Sequence, residues 1–520
     1  MSIRLGIDVG GTHTDAVLIT ESNQVVGKAK RGTSRDVVSG IRSALQAVLQ
    51  SSGVGVRSVG YAMLGTTQCT NAVVERKGLA SVAVLRIGAP ASLSIPPLTE
   101  WPADLVAALN PVVETIEGGH EFDGRLIAPL DEEGVVRFAR QVKGVRSVAV
   151  SSIFSPVTDQ HELRAEEILR QELGPDTAIS LSSRIGSMGL LERENATILN
   201  AALVDVAEQA TMAFREALQD FDVQARLYFS QNDGTLMGLE MAQQYPIFTI
   251  ASGPTNSLRG AAYLSGHKEA VVIDVGGTTS DIGVLVNGFP RQSSIAVSIG
   301  GVRTNFRMPD LISIGLGGGT RIHGPAHNLS VGPDSVGYRL PTQARVFGGP
   351  DLTLTDVAVA EGLIDLGDAG HIRGLSLDIV KGGLHRVREM LEESVDRMKT
   401  SSKLLPVIAV GGGSFLVPQD LLGSSEVLMP YDGDVANAIG AAMAHVSGES
   451  DRVYSLERIS RNEALEEAKK IAIDQVIAGG GEASRVEIID VEEMPLAYLP
   501  GNATRIRVKA ASVLAQVVEP

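Results

Sequence analysis

Ile3 to Val9 is an apolar-rich run of strand length and Ala16 to Ile19 is another, with Gly10-Gly11 between them. Short apolar runs bounded by turn residues predict buried strands, so the opening reads as a hairpin with glycines at its tip. Val37, Val38, Ile41, Leu45 and Val48 then fall at helical spacing and predict a helix after the strand pair.

Farther on, residues 81–87 are strand-like, Ala91 to Pro102 contains several prolines, and Gly118-Gly119 marks a turn, together predicting an inserted subdomain between Ala80 and Gly144. Val145 to Phe154 reads as a buried strand and Asp159 to Leu173 as a helix with an acidic cap. Leu190 to Leu218 keeps a helical apolar period, and a second structural half is expected from about Met188. Helices follow at Thr355 to Leu366 and Leu384 to Lys399, then a strand at Pro406 to Val410, Gly411-Gly412-Gly413, and a small-residue helix from Val435 to His445. Glu463 to Ile477 predicts a helix, and Arg485 to Val491 and Thr504 to Lys509 predict strands. The expected division is 1–187, 188–450 and a small terminal α+β module at 451–520.

The opening hairpin recurs. Gly6-Ile7-Asp8-Val9-Gly10-Gly11-Thr12-His13-Thr14-Asp15 aligns with Val272-Ile273-Asp274-Val275-Gly276-Gly277-Thr278-Thr279-Ser280-Asp281. Two such strand, glycine turn, strand units predict duplicated halves facing one cleft.

Composition narrows the class. A chain of 520 residues, 44% hydrophobic and 20% charged, has room for two or three cored domains and no disorder signature. A net charge of −16 repels polyanions and argues against coating nucleic acid. Cys69 is the only cysteine, so no intrachain disulfide framework exists and a reducing, cytoplasmic compartment is expected. The start of the chain, Met1 to Leu5, lacks a basic-then-apolar leader, and no apolar run reaches membrane-spanning length, so neither export nor a membrane span is expected.

Glycines after a strand let backbone N–H groups approach a polyphosphate because no Cβ intervenes. Gly10, Gly11, Gly276 and Gly277 are placed for this, with Thr12, Thr14, Thr278 and Thr279 adding hydroxyls. Asp8 and Asp274, at equivalent strand ends, can share a hydrated Mg²⁺, an ion that takes one or two carboxylates and keeps several waters. Gly411, Gly412 and Gly413 can pass close under an adenosine, and Ala436, Ala438, Gly440, Ala441 and Ala442 let the next helix pack tightly at a hinge. Asp15 and Asp281 either orient water or metal or cap their turns. The bland reading is preferred for His13 as a loop residue, for His120, Asp123, His161 and Glu162, which lack ligand spacing, for His323 and His327, separated by Gly324-Pro325, and for Cys69, which has no base beside it.

Leu64-Gly65-Thr66-Thr67, Thr70-Asn71-Ala72, Glu75-Arg76-Lys77-Gly78, Glu192-Arg193-Glu194-Asn195-Ala196-Thr197, Ser252-Gly253-Pro254, Gly317-Gly318-Gly319-Thr320, Val331-Gly332-Pro333-Asp334-Ser335 and Leu354-Thr355-Asp356 carry a resemblance over roughly the whole chain. It is to the hydantoinase/oxoprolinase family, alpha-type (N-methylhydantoinase A-like) subunits. The resemblance implies an α/β fold of duplicated actin-like ATPase halves (actin/sugar-kinase/Hsp70, ribonuclease H-like) around a central cleft, with ATP, a divalent ion and ATP-driven activation of a carbonyl. The chain departs from the family pattern at Leu64 and Ile312, where histidines are expected, and around Leu340 to Phe347.

The expected function is an ATP-dependent hydrolase subunit that opens a cyclic amide or imide, hydantoin-like or oxoproline-like, through phosphorylation of the carbonyl. Asp8 and Asp274 are its metal-organising residues, and a beta-type hydantoinase subunit or a second copy of the chain is its expected partner. The alternatives are a small-molecule kinase or carboxylase subunit and an ATP-driven protein-reactivating factor.

Overall fold

The computed structural model describes residues 3–32, 37–293, 296–306, 308–497, 499 and 501–515; Met1 and Ser2, where the leaderless start was read, lie outside them. β1 (Ile3–Val9) and β2 (His13–Ile19) form the first hairpin, and β3 (Val25–Gly32) continues it antiparallel. Helix α1 (Val37–Ser52) lays Ile41, Leu45 and Val48 on this sheet, the stripe that its sequence period predicts. The chain returns as β4 (Val59–Thr66), parallel to β1, and turns into α2 (Gln68–Glu75).

A separate four-stranded parallel sheet follows, ordered β6-β5-β7-β8, from β5 (Val82–Ala89), β6 (Val112–Glu117), β7 (Ser147–Ser152) and β8 (Ala178–Leu181). Its strands carry Val84, Leu85, Val148 and Val150 fully buried, as strands of a parallel sheet do when both faces are covered. The helical stretch from Leu190 divides at Leu203 into α3 (Leu190–Ala202) and α4 (Val204–Gln219). Helix α3 pins this sheet to the core. Its Glu194 forms a buried ion pair with Arg86 of β5, and its Asn195 accepts from the indole of Trp101 at 2.7 Å while donating to the Arg303 carbonyl at 2.9 Å.

β9 (Arg226–Ser230) joins β4 in parallel, β10 (Thr235–Gly238) folds back on it, and α5 (Ser252–Ser265) leads into the second half. There β11 (Ala270–Val275) and β12 (Ser280–Val286) repeat the hairpin, flanked by β13 (Phe289–Pro290) and β14 (Leu311–Ile314), both antiparallel to β12. After α6 (Leu377–Met398), whose N-terminus is capped by the Ser376 hydroxyl, β15 (Leu405–Val410) runs parallel to β11 and β16 (Ser424–Leu428) parallel to β15.

Each half therefore has the same plan: an antiparallel hairpin with a further antiparallel strand on one side and two parallel strands on the other. This is the duplicated α/β architecture of actin-like ATPases expected from the sequence. Helix α7 (Ala436–Met443) crosses α5 between the halves at backbone contact. A Cβ on Gly260 would lie 1.9 Å from the Ala436 carbonyl oxygen, and one on Gly6 2.2 Å from that of Ala438.

The last segment extends the first sheet. β17 (His445–Ser455) pairs in parallel with β10, and β18 (Glu487–Pro495) and β19 (Ala503–Ser512) complete a nine-stranded sheet. Helix α8 (Arg461–Ala478), started by a Ser460/Glu463 capping box, covers one face of this extension with Ala464, Ala468, Ala472 and Val476.

Candidate functional site

The two hairpins share one register. Asp8 stands opposite Asp15 across the first, and Asp274 opposite Asp281 across the second. The turns close alike, Gly10 N–H donating to the His13 carbonyl at 3.0 Å and Gly276 N–H to that of Thr279 at 2.9 Å. They face each other, since a Cβ added to Gly277 would lie 3.6 Å from the Thr12 hydroxyl and methyl. Thr14 is buried beneath the first turn, and Thr278 and Thr279 form the second.

The neighbouring glycines make room for the carboxylates. Gly65 lies beside Asp8 on β4, where a Cβ would meet Asp8 Oδ1 at 2.3 Å. Gly411, at φ +85°, does the same for Asp274, where a Cβ would lie 2.2 Å from Oδ1. Gly413 N–H donates to the Val275 carbonyl at 2.7 Å and Gly411 N–H to that of Gly433 at 2.9 Å, so the third glycine segment sits against the second turn. Gly317 to Gly319 back that turn from outside, with Gly318 and Gly319 N–H donating to Gly276 and Gly277.

Four polar residues that the sequence reading did not single out hold this arrangement. Asn256 and Ser257, adjacent on α5, reach opposite halves: Asn256 Nδ2 donates to Asp8 Oδ1 at 3.3 Å and Ser257 Oγ to Asp274 Oδ2 at 2.5 Å. Asn437 of α7 donates to Asp8 Oδ2 at 2.9 Å. Lys30, opposite Asp15 on β3, places Nζ 2.8 Å from Asp15 Oδ2 and 3.0 Å from the Asp434 carbonyl. Their partners lie from 15 to 429 positions away, outside any local sequence pattern, and the polar Asn256-Ser257 pair just after the Ser252-Gly253-Pro254 block is the one local hint.

Burial raises the Asp8 carboxyl to about 6, helped by the charges of Asp15 and Asp274 and opposed by the two asparagines. Removal from water also raises Asp274, against the pull of Ser257 and Lys30, and raises Asp281 to about 6 with the charge of Asp274 adding to it. Asp15 Oδ1 and Asn256 Oδ1 are buried acceptors without a hydrogen-bond partner among the described residues. Crowded carboxylates with spare acceptors are a donor set that a hydrated divalent cation could take, since its charge would relieve the repulsion.

His13, the His120 and His161 group, His323 and Cys69 make local contacts. His13 is exposed and bonds Thr12. The structure does bring His120 and His161 together, with ring centroids 4.3 Å apart, but Glu162 is spent on the Ser152 and Ser183 N–H groups and Asp123 on Arg125. His323 pairs with Asp334 rather than His327, and burial pushes the Cys69 thiol up to about 11, away from the reactive thiolate. A separate cavity of about 1290 Å³, lined by Arg226, Tyr228, Met237, Tyr245, Asp451 and Arg505 among others, contains neither turn.

The family model described as the hydantoinase/oxoprolinase N-terminal region matches residues 4–173, and the one described as hydantoinase/oxoprolinase matches residues 193–368. The chain is 27% identical over 392 residues to the acetophenone carboxylase gamma subunit of Aromatoleum aromaticum, covering 69% of this chain and 53% of that protein. It is 26% identical over 425 residues to the caprolactamase subunit alpha of Pseudomonas jessenii, covering 76% and 60%. The chain thus spans little more than half the length of these curated relatives. The crystal structure of the ATP-dependent caprolactamase from Pseudomonas jessenii superposes with a TM-score of 0.78 at 20% identity, over 99% of this chain and 89% of that one, and so shares the fold.

Proposed function

The chain belongs to the hydantoinase/oxoprolinase family, and from that premise we propose that it is an ATP-dependent enzyme subunit that activates the carbonyl of a small molecule, with a cyclic amide or imide as substrate. The observation that carries the reading is the pair of opposed glycine turns with Asp8 and Asp274 at matching strand ends, tied together by Asn256 and Ser257 of one helix.

Transfer of the terminal phosphoryl group of ATP to the carbonyl oxygen, with ADP leaving, would make the carbonyl carbon a better target for water, and inorganic phosphate would leave as the C–N bond opens. Asp8 and Asp274 would hold a hydrated Mg²⁺, which would supply positive charge against the phosphates, and Asp15 Oδ1 and Asn256 Oδ1 are the buried acceptors left free beside them among the described residues. The N–H groups of Gly10, Gly11, Gly276 and Gly277 and the hydroxyls of Thr12, Thr278 and Thr279 orient the phosphates, Thr14 supports the first turn from beneath rather than touching them, and Gly411 to Gly413 floor the adenosine. Closure of the halves about the α5/α7 crossing excludes bulk water from the transfer.

A carboxylase role is the second reading, favoured by the similarity to the acetophenone carboxylase gamma subunit. There the activated carbonyl compound reacts with a bicarbonate-derived carbon instead of with water. Both readings include a partner subunit, because the relatives named above are subunits of assemblies. The test is ATP turnover by the purified chain, alone and with a beta-type partner, across lactams, hydantoins and ketones with and without bicarbonate. Turnover dependent on a cyclic amide supports hydrolysis, and turnover dependent on a ketone and bicarbonate supports carboxylation. ATP turnover and binding absent under every condition would sink both.

A further inference from the structure

Asp8, Asp15 and Lys30 form one row across β1, β2 and β3, because Asp8 pairs with Asp15 and Asp15 with Lys30 at successive strands. The second half repeats the row with a different end: Asp274 pairs with Asp281, and Asp281 with Ser313. The cation is therefore confined to one half. Its Nζ reaches Asp15 at the first turn and the Asp434 carbonyl in the second half, and a Cβ on Gly412, in the third glycine segment, would lie 3.8 Å from Lys30 Cε. Lys28, on the same face of β3, pairs with Asp432 and Asp434 at 2.9 and 3.2 Å and stands over the Tyr431 ring.

An ammonium has three N–H donors, and the described partners of Lys30 take two of them. The side chain is about 30% exposed, enough to present the third toward the cleft between the turns. Asp15 is its direct partner and Asp274 lies close enough to be influenced by its charge, while Asp8 is the next carboxylate in the row, so an incoming polyphosphate meets an acidic cleft in which this ammonium is a positive charge to receive it.

We propose that Lys30 is a phosphate ligand of the site and donates its third N–H to the terminal phosphate of a nucleoside triphosphate. The inference rests on the nucleotide reading above. Through Asp434 and the Lys28 pairs, the same strand ties the first hairpin to loop 429–434, which also holds Gly411 by way of Gly433. Lysine suits this task as a compact charge on a flexible stem.

The experiment is calorimetric titration of the full chain with a non-hydrolysable Mg·ATP analogue and with Mg·ADP, for wild type, Lys30→Met and Lys30→Arg. The expected result is a loss of tenfold or more in triphosphate affinity for Lys30→Met, less than threefold loss for ADP, and partial recovery in Lys30→Arg. Equal losses for both nucleotides would mean a brace rather than a terminal-phosphate ligand, and unchanged affinities would remove Lys30 from the site; either overturns the proposal while leaving the nucleotide reading intact. A wild type that binds neither nucleotide would overturn that reading itself. Should Lys30→Met fail to fold through its unpaired Asp15, the double variant Asp15→Asn/Lys30→Met is compared with Asp15→Asn on the same ratio.

Discussion

Gly440 of α7 passes so close beneath Asn256 of α5 that a Cβ at Gly440 would come within 1.8 Å of the Asn256 carbonyl oxygen. The side chain of that same Asn256 holds Asp8, so the helix crossing and the carboxylate are one mechanical unit. Gly440→Ala is expected to force the helices apart, costing about 1–3 kcal/mol and weakening Mg-nucleotide binding. Gly374→Ala, at a site with open space around it, serves as the control. Thermal melts and nucleotide titration check the pair; equal behaviour of the two variants would contradict the tight crossing.

Asp8→Asn and Asp274→Asn each remove one half of the proposed metal seat. Metal-dependent ATP turnover is expected to fall by at least about 100-fold, with circular dichroism unchanged. Retention of activity by either variant would show that the cation is held elsewhere.

Proton linkage gives a second check on the same seat. The Asp8 carboxyl, raised to about 6 by burial and neighbouring charge, must ionise to bind Mg²⁺, so binding releases a proton below that pH. Affinity should rise with pH up to about 6 and then level, and at pH 5 it should be roughly tenfold weaker than its plateau. Titrations in buffers of different ionisation heat measure the proton directly, and affinity that is flat from pH 5 to 7.5 would contradict the assignment.

His161 accepts the Gly119 N–H on Nδ1 at 3.0 Å, which requires that nitrogen to be unprotonated, and burial followed by the charge of His120 lowers the ring to about 4. The unfolded chain takes up this proton near 6.5, so the contribution of the neutral ring is whole above that pH and is lost as pH falls toward 4. His161→Asn, whose side-chain oxygen can replace Nδ1, should therefore show its largest deficit at pH 7 and a shrinking one toward pH 4. Parallel melts of the two proteins read this difference, and a pH-independent gap would refute it.

The Arg86–Glu194 pair is fully buried and also anchors the Ile95 carbonyl and Ser151 hydroxyl. Arg86→Met should destabilise by about 3–5 kcal/mol because it strands a charge in the interior. Adding Glu194→Gln removes that charge and should recover part of the loss in denaturant unfolding.

Much of this was readable beforehand because it is local. The repeated Asp8 and Asp274 hairpins, the glycine turns and the apolar stripe of α1 are set by neighbours within one turn or strand. Lys30, Asn256, Ser257 and Asn437 were not readable, since each is defined by a carboxylate or carbonyl brought near only by folding. The attachment of β17 to β19 to the first sheet was likewise hidden: Thr235 opposite His445 is a pairing across most of the second half. The break at Leu203 between α3 and α4 escaped because the apolar period continues through it.

Trp101 is the chain's single tryptophan, packed among Leu105, Leu199 and Val302 with its ring nitrogen bound to Asn195. Intrinsic fluorescence excited in the indole band consequently reports one seam, where the four-stranded sheet meets helix α3. An optical signal from that seam, followed beside a whole-chain probe, would distinguish detachment of the inserted sheet from unfolding of the nucleotide halves without any added label.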